Sequence, residues 1–88
     1  MAWRVEYSTG VEKQLRKMGR DADRRIRRQL ETVIANLDDP RQVGGPLMGK
    51  LKGYWRYRIG DYRVLCDIRD AQLIVLVIEV GHRREVYR

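Results

Sequence analysis

Alternation of apolar and polar residues is clearest in two neighbouring runs, 54–59 and 62–68, which predict a pair of antiparallel strands. Gly60-Asp61 separates them and suits a two-residue hairpin turn, because glycine tolerates positive φ. Such a turn pairs Ile59 with Tyr62, and successive side chains of a strand point to opposite faces. One face is therefore predicted to belong to the core and carries Trp55, Tyr57, Ile59, Tyr62, Val64 and Cys66.

The other face of the predicted hairpin carries three arginines, Arg56, Arg58 and Arg63. The register places Arg58 directly opposite Arg63, and like charges that face each other across a ladder destabilise a sheet. We therefore interpret this face as a site for an anion. The alternative is a solvated strand face that favours solubility or protects a sheet edge.

The first half of the chain is predicted to form a strand and two helices. Residues 2–7 alternate and favour a strand, and Thr9-Gly10-Val11-Glu12 fits a capping box at the start of a helix that ends at Gly19. A second helix begins at Asp21 and ends before Pro40, since the residue before a proline is disfavoured in a helix. Its apolar stripe is Ala22, Ile26, Leu30, Val33 and Leu37.

The second half contributes a loop at 40–53, the hairpin, and an apolar run at 73–78 that is typical of a strand covered on both faces. The predicted order is β-α-α-β-β-β in a single domain that spans residues 1–88. We expect an α+β fold with a helical hairpin packed on one face of an antiparallel sheet. The helices should cover the aromatic face of the hairpin, which leaves the arginines toward solvent.

Composition adds a candidate partner. The 88 residues include 19 Lys and Arg against 12 Asp and Glu, for a net charge of +7, which favours a polyanion, with nucleic acid first. A membrane surface or an acidic protein is the alternative. The one cysteine, Cys66, lies on the apolar face and is interpreted as a packed thiol. No signal peptide or transmembrane run is evident, so we expect a cytoplasmic protein with no membrane partner.

The candidate functional residues are mainly basic. Arginine matches phosphate oxygens with a planar fork of donors, and phosphate contacts dominate affinity for nucleic acids. No histidine pair and no spacing typical of metal ligands occurs, so we expect neither a metal nor another cofactor. Phosphodiester chemistry would rest on positive charge, with a tyrosine or histidine moving protons. The candidates are Lys50, Lys52, Arg56, Arg58 and Arg63, followed by His82, Arg83 and Tyr87.

Two segments resemble the RelE family of bacterial toxin–antitoxin toxins: residues 51–64, LKGYWRYRIGDYRV, and residues 81–87, GHRREVY. The resemblance extends over essentially the whole chain. It implies a metal-independent endoribonuclease that cuts mRNA in the ribosomal A site. The RNA 2′-hydroxyl attacks the adjacent phosphate and leaves a 2′,3′-cyclic phosphate and a 5′-hydroxyl.

The resemblance also implies roles for individual residues. Arg56 and Arg58 stand where the family often has lysines, and because arginine does not release its proton they would bind phosphate, together with Lys50 and Lys52. Stabilisation of the transition-state charge falls to Arg63 and Arg83. Proton transfer falls to Tyr87, with His82 as the alternative donor.

The implied partners are an antitoxin, the ribosome and mRNA. The antitoxin of such a system commonly has an acidic segment that wraps the toxin, and operator DNA is contacted only through the antitoxin. Two other functions stay open at this point. One is a ParE-like toxin that inhibits DNA gyrase, and the other is a catalytically silent module that binds RNA or regulates its operon.

Overall fold

The structure is a computed structural model and describes residues 3–82. It contains the strands Arg4–Tyr7 (β1), Gly45–Pro46 (β2), Trp55–Ile59 (β3), Tyr62–Arg69 (β4) and Ile74–His82 (β5), and the α-helices Thr9–Met18 (α1) and Arg20–Arg28 (α2). The strands form one sheet in the order β1-β5-β4-β3-β2, with both helices packed on one of its faces. The predicted α+β fold is confirmed.

The sheet is mixed, whereas an antiparallel sheet was predicted. β1 runs parallel to β5, with Arg4 beside Ile74 and Tyr7 beside Val77, and all other pairs are antiparallel. Strands β1 and β5 lie at opposite ends of the chain. Their relative direction depends on the path of the intervening helices and strands, and no local sequence pattern indicates it. The short strand β2 lies within the segment expected to be a loop.

Strand β5 lies between β1 and β4. Of the run predicted to be covered on both faces, Ile74, Val75 and Val77 are buried, whereas Leu76 and Ile78 are half-buried. A β-bulge interrupts its pairing with β4: Leu65 pairs with Glu79 and Cys66 pairs with Val77, which leaves Ile78 as the additional residue. The bulge changes which residues face the helices. Val77 and Val80 both reach the core although they are three positions apart.

The first helix begins with a different cap from the predicted one. Ser8 is the N-cap, and its hydroxyl accepts a hydrogen bond from the Val11 amide at 3.2 Å. Thr9, which the capping-box pattern placed at this position, is instead the first helical residue. The helix ends before Gly19 at φ 96°, as expected, and α2 begins one residue before the predicted Asp21.

A π-helical turn at Gln29–Val33 follows α2 and corrects the predicted apolar stripe. The wider turn rotates the residues that follow it, so that Ile34 enters the core while Val33 is 44% exposed. The prediction that Val33 belongs to the apolar stripe assumed a uniform helical period and is wrong. The segment then closes with a 3₁₀ turn at Ile34–Asn36.

The core lies between the helices and the sheet. Among residues 3–82, Tyr57 is the largest side chain that is fully buried, and its hydroxyl donates a hydrogen bond to the Pro40 carbonyl at 2.6 Å. This contact ties β3 to the chain that leaves the second helix. The other residues of the core cluster include Val11, Leu15, Ile26, Leu30, Ile59, Val64, Cys66, Val75 and Val77.

Candidate functional site

The β3–β4 hairpin holds the candidate site, and its turn has the predicted geometry. Gly60 has φ 60°, and Ile59 pairs with Tyr62 across the turn. A Cβ on Gly60 would lie 2.9 Å from the guanidinium carbon of Arg25. Glycine is thus required here by its backbone conformation, and the Arg25 side chain of α2 covers the turn.

The hairpin displays three arginines on the side of the sheet that faces away from the helices; we call this side, with Arg56, Arg58 and Arg63, the arginine face. Arg58 pairs with Arg63, as predicted. Arg58 is exposed, whereas Arg56 and Arg63 are half-buried with their Nε atoms shielded from solvent. Two cross-strand guanidinium groups on one face create a concentrated positive potential, which an anion would relieve.

Strand β5 extends this face. Its register places Gly81 opposite Arg63 and Glu79 opposite Leu65, so both residues lie on the arginine face. Leu65 is only 1% exposed and lies between Arg56 and Glu79 in the same row of the sheet. The arginine face therefore has an apolar centre with charged side chains around it.

Glu79 is the residue that sequence reasoning missed as a candidate. It is half-buried and lies on the arginine face, where it pairs with Leu65, two residues along β4 from Arg63. A carboxylate can act as a general base, which an arginine cannot do. The order of residues in β5 could have identified Glu79 only together with its register against β4.

The two predicted lysines lie apart from the hairpin tip. Lys50 is part of a 3₁₀ turn at Gly49–Leu51, and Lys52 follows that turn; both side chains are exposed. Both lysines come before Trp55, where β3 begins, whereas the turn at Gly60 follows the other end of the strand. Since a strand advances about 3.3 Å per residue, both lie more than about 10 Å along the chain direction from the Arg58–Arg63 pair.

His82 lies on the opposite side of the sheet from the arginines. Its register partner is Tyr62, which packs against the core on the helix side. The two rings form an edge-to-face contact with centroids 6.1 Å apart and an interplanar angle of 81°. The other two candidates of the C-terminal segment, Arg83 and Tyr87, lie outside the described residues.

Four arginines away from the arginine face, Arg4, Arg27, Arg41 and Arg69, form ion pairs with carboxylates. Arg27 contacts Asp23 and Glu12, each at 2.5 Å, and its guanidinium carbon lies 4.5 Å from the centre of the Tyr7 ring. Partial burial opposes the charged form of Arg27, but the hydrogen bonds that it donates to both carboxylates raise its pKa overall. By contrast, no carboxylate among residues 3–82 forms an ion pair with Arg58. The charge of Arg58 is therefore accessible to a ligand.

Cys66 is fully buried on the helix-packed face. Burial raises the pKa of its thiol far above the ordinary range, which disfavours the reactive thiolate. Within residues 3–82, no group of three His, Cys, Asp or Glu side chains is placed to hold a metal ion. In the same part of the chain, none of the helices has the length and apolar character that spanning a membrane requires.

The arrangement is suited to binding an extended phosphate chain. Arg56 and Arg58 follow one strand with their side chains on one face, and Arg63 is added from the next strand, so adjacent phosphates can meet successive guanidinium forks. The same charges can stabilise additional negative charge on a phosphate during a reaction. With Glu79 nearby, the face combines anion binding with a group able to accept a proton.

Comparison with known proteins supplies the family. Residues 5–87 match the family model described as the ParE toxin of the type II toxin–antitoxin system parDE. The toxin RelG of Mycobacterium tuberculosis is 32% identical over 89 residues, which cover 100% of this chain and 99% of RelG. The toxin RelE of the same organism is 38% identical over 52 residues, or 59% of this chain and 54% of that toxin.

Solved structures show the same fold. The RelBE2 toxin–antitoxin complex of M. tuberculosis contains a chain that superposes with a TM-score of 0.85 at 26% identity, over 97% of this chain and 95% of that one. The RelE–RelB complex of Pyrococcus horikoshii gives a TM-score of 0.71 at 22% identity, over 98% and 100% of the two chains. Each of these structures was determined with an antitoxin present.

Proposed function

We propose that this chain, which belongs to the ParE/RelE family of toxins of type II toxin–antitoxin systems, inhibits translation by cutting mRNA in the ribosomal A site. The reaction is attack of the RNA 2′-hydroxyl on the adjacent phosphate. It breaks the bond to the 5′-oxygen of the next nucleotide, and the products are a 2′,3′-cyclic phosphate and a 5′-hydroxyl. One proton leaves the 2′-oxygen and one reaches the departing 5′-oxygen.

The observation that carries this proposal is the pair of arginines, Arg58 and Arg63, facing each other on the side of the sheet opposite helices α1 and α2. In the proposed reaction, Arg63 and Arg83 stabilise the charge on the pentacoordinate phosphate. Arg56 and Arg58 hold neighbouring phosphates, and the exposed Lys50 and Lys52 extend the contact along the RNA.

The proton transfers are assigned to two residues. Tyr87 is assigned by resemblance to the family as the proton carrier. Glu79 shares the arginine face, so we assign it the acceptance of the proton from the 2′-hydroxyl. His82 packs against Tyr62 on the far side of the sheet, and we therefore give it no part in moving protons.

The proposed partners follow from the family and the charge. Related toxins have been crystallised with RelB antitoxins, and a net charge of +7 favours an antitoxin with an acidic toxin-binding segment that wraps this chain. Operator DNA would be contacted through the antitoxin. The ribosome and mRNA place the activity in the cytoplasm.

Primer extension on translated mRNA after a brief induction tests the proposed function. We expect new 5′ ends in phase with the reading frame, with a 5′-hydroxyl on the downstream fragment and a 2′,3′-cyclic phosphate on the upstream one. Cleavage of the same RNA without ribosomes would contradict the dependence on the A site. Ends that carry a 5′-phosphate would contradict the proposed chemistry.

A second candidate function is inhibition of DNA gyrase, and the description of the matching family model as a ParE toxin favours it. The two functions differ in what stops first after induction. Intact mRNA together with arrested replication would support the gyrase inhibitor and contradict the ribonuclease. Binding of RNA without either effect would identify a silent RNA-binding or operon-regulating module.

A further inference from the structure

One aromatic side chain of the described part of the chain, Tyr54, lies apart from the core. The other tryptophans and tyrosines between residues 3 and 82 all belong to the core cluster or pack against it: Trp3, Tyr7, Trp55, Tyr57 and Tyr62. Burial of an aromatic ring is a large source of stability, and Tyr54 contributes nothing to that cluster. A role outside the core is therefore favoured for this side chain.

Tyr54 continues the row of arginines along β3. Strand β2 pairs with β3 as far as Pro46 beside Trp55, and the next amide, that of Leu47, donates a hydrogen bond of 3.1 Å to the Tyr54 carbonyl. The ladder thus extends to Tyr54. Because side chains alternate along an extended chain, Tyr54 lies on the same face of the sheet as Arg56, two residues further on.

Among the described residues, the row of the sheet that contains Tyr54 has no cation. On one side its neighbour is Leu47, which is 6% exposed. On the other side the β3–β4 register continues to Asp67, whose carboxylate is bonded to Arg69 at 3.1 Å. This row disfavours a phosphate, whereas an aromatic ring suits the planar face of a base.

The spacing of side chains along β3 suits a nucleotide chain. Two residues of a strand advance about 6.6 Å, so one face of β3 presents Arg58, Arg56 and Tyr54 at equal intervals. An extended single-stranded RNA repeats its phosphates at a similar interval. A chain whose phosphates contact the two arginines consequently brings the base of a neighbouring nucleotide to the tyrosine ring.

The ring of Tyr54 is half-buried. The hydroxyl of Tyr57 is bonded to the Pro40 carbonyl, whereas the hydroxyl of Tyr54 has no hydrogen-bond partner in the described part of the chain. A partly buried ring loses less conformational freedom on binding than a fully exposed one. Tyr54 thus offers both a ring face and an unused hydroxyl to a ligand on the arginine face.

We propose that Tyr54 is a base-binding residue of the RNA site, and that its ring stacks on the base next to the phosphates held by Arg56 and Arg58. This inference rests on the proposed function and adds a source of sequence preference to it. Purines stack more strongly than pyrimidines, so cleavage should favour a purine at the one codon position that meets Tyr54.

Binding of a short RNA to the full chain tests the contact directly. The probe is a single-stranded RNA of about six nucleotides, 2′-O-methylated so that it cannot be cleaved, with the fluorescent base 2-aminopurine at one position. Stacking should quench the fluorescence. In NMR spectra of the protein with labelled tyrosines, the RNA should move the ring resonances of Tyr54 and leave those of the buried Tyr57 in place.

Two substitutions at this position separate the ring from a merely apolar contact. Tyr54→Leu keeps an apolar side chain but removes the ring, so the affinity for the RNA should fall about tenfold. Tyr54→Phe is the matched control, since it keeps the ring and should bind the RNA nearly as the unmodified protein does. Both variants should fold, because Tyr54 lies outside the core cluster, and urea denaturation checks this.

Cleavage on ribosomes programmed with codons that differ at one position gives the second readout. The unmodified protein and Tyr54→Phe should prefer a purine at a single position, and Tyr54→Leu should lose this preference. The inference would be overturned by RNA that leaves the Tyr54 resonances in place, or by equal affinity of the Leu and Phe variants.

Failure of the inference and failure of the proposed function give different results. If mRNA is cleaved and Tyr54→Leu keeps the codon preference of the unmodified protein, the stacking role is wrong and the ribonuclease assignment stands. If the RNA probe stacks on Tyr54 but no mRNA is cleaved on ribosomes, the proposed function is wrong and the base-binding contact stands.

Discussion

The two faces of the β3–β4 hairpin are built from alternate residues of the same strands, yet they differ in almost every physical property. On the helix side, Tyr57, Val64 and Cys66 are at most 2% exposed and belong to the core cluster. On the other side, Arg58 is exposed and faces Arg63 across the ladder. The alternation of a strand lets one short segment serve stability and binding separately.

This separation has an energetic basis. Burial of aromatic and aliphatic side chains stabilises the fold, whereas two guanidinium groups on adjacent strands repel each other. A hairpin selected for stability alone would place opposite charges or threonines at such a pair. The arginine pair therefore fits the anion-binding role that we propose for this face.

Replacing Tyr57 with alanine should have the largest effect. It removes a fully buried ring and its hydrogen bond to the Pro40 carbonyl, and we expect the free energy of unfolding to fall by about 3–5 kcal/mol. Urea denaturation followed by circular dichroism measures the change. A loss of less than about 1 kcal/mol would show that the helix-packed face is not the main source of stability.

Tyr57→Phe is the matched control for the hydroxyl. The ring and its packing are kept, and only the bond to Pro40 is lost, so the expected loss is about 1 kcal/mol. The difference between the two variants separates ring burial from the hydrogen bond.

Replacing Arg63 with alanine should affect activity and leave the fold. We expect mRNA cleavage to fall about 100- to 1,000-fold, as for the removal of one group that stabilises transition-state charge. The free energy of unfolding should change by less than about 1 kcal/mol, because Arg63 lies on the face that the helices do not cover. Toxicity on induction and urea denaturation give the two readouts.

Arg63→Lys tests whether charge alone is enough. Lysine keeps the positive charge but lacks the planar fork, so cleavage should be restored only in part. Undiminished cleavage by Arg63→Ala would contradict the assignment of this residue. Loss of cleavage together with unfolding would place Arg63 with the structural residues instead.

The fold was predictable where its signals are local. The hairpin register follows from Gly60 at the turn and from strict alternation on either side of it. The π-helical turn that exposes Val33 and the bulge at Ile78 were not predictable, because both adjust a regular element to the packing of distant segments. The parallel pairing of β1 with β5 has the same origin, since the two strands meet only in the folded chain.

The candidate site was likewise predictable only where its residues belong to one local element. Arg56, Arg58 and Arg63 share a face because they belong to one hairpin. The sequence did not single out Glu79 and did not fix the face on which His82 lies, because both residues belong to β5, whose register depends on a contact between separate segments. A single-residue change in that register would exchange the faces on which they lie.

Replacing Glu79 with glutamine tests whether Glu79, which the register of β5 places on the arginine face, takes part in cleavage. As the group that accepts a proton from the 2′-hydroxyl, it should contribute about 100-fold to cleavage. Single-turnover cleavage on programmed ribosomes measures the loss.

Asp67→Asn is the matched control, since Asp67 is a carboxylate of the same sheet face whose partner is Arg69 at 3.1 Å. It should leave the rate of cleavage unchanged. If Glu79→Gln cleaves at the normal rate, the proton acceptor lies elsewhere and the arginine face acts by charge alone.

The smallest expected effect concerns an arginine outside the two faces. Arg41 donates two hydrogen bonds of 2.9 Å to Asp70, and these hold the pKa of the Asp70 carboxyl below its ordinary value. The pair therefore stabilises the fold at pH values above the unfolded pKa of Asp70, and its contribution is lost as the pH falls through the lower folded pKa.

Asp70→Asn should lower the urea midpoint slightly at neutral pH and have no effect once the pH is below the folded pKa. The shift should shrink in high salt, because the pair is exposed and screened. Cleavage of mRNA should be unchanged, since the charge of Arg41 is engaged within the fold while that of Arg58 is open to a ligand. Reduced cleavage in this variant would place Arg41 on the RNA-binding surface and contradict the division between structural and functional arginines.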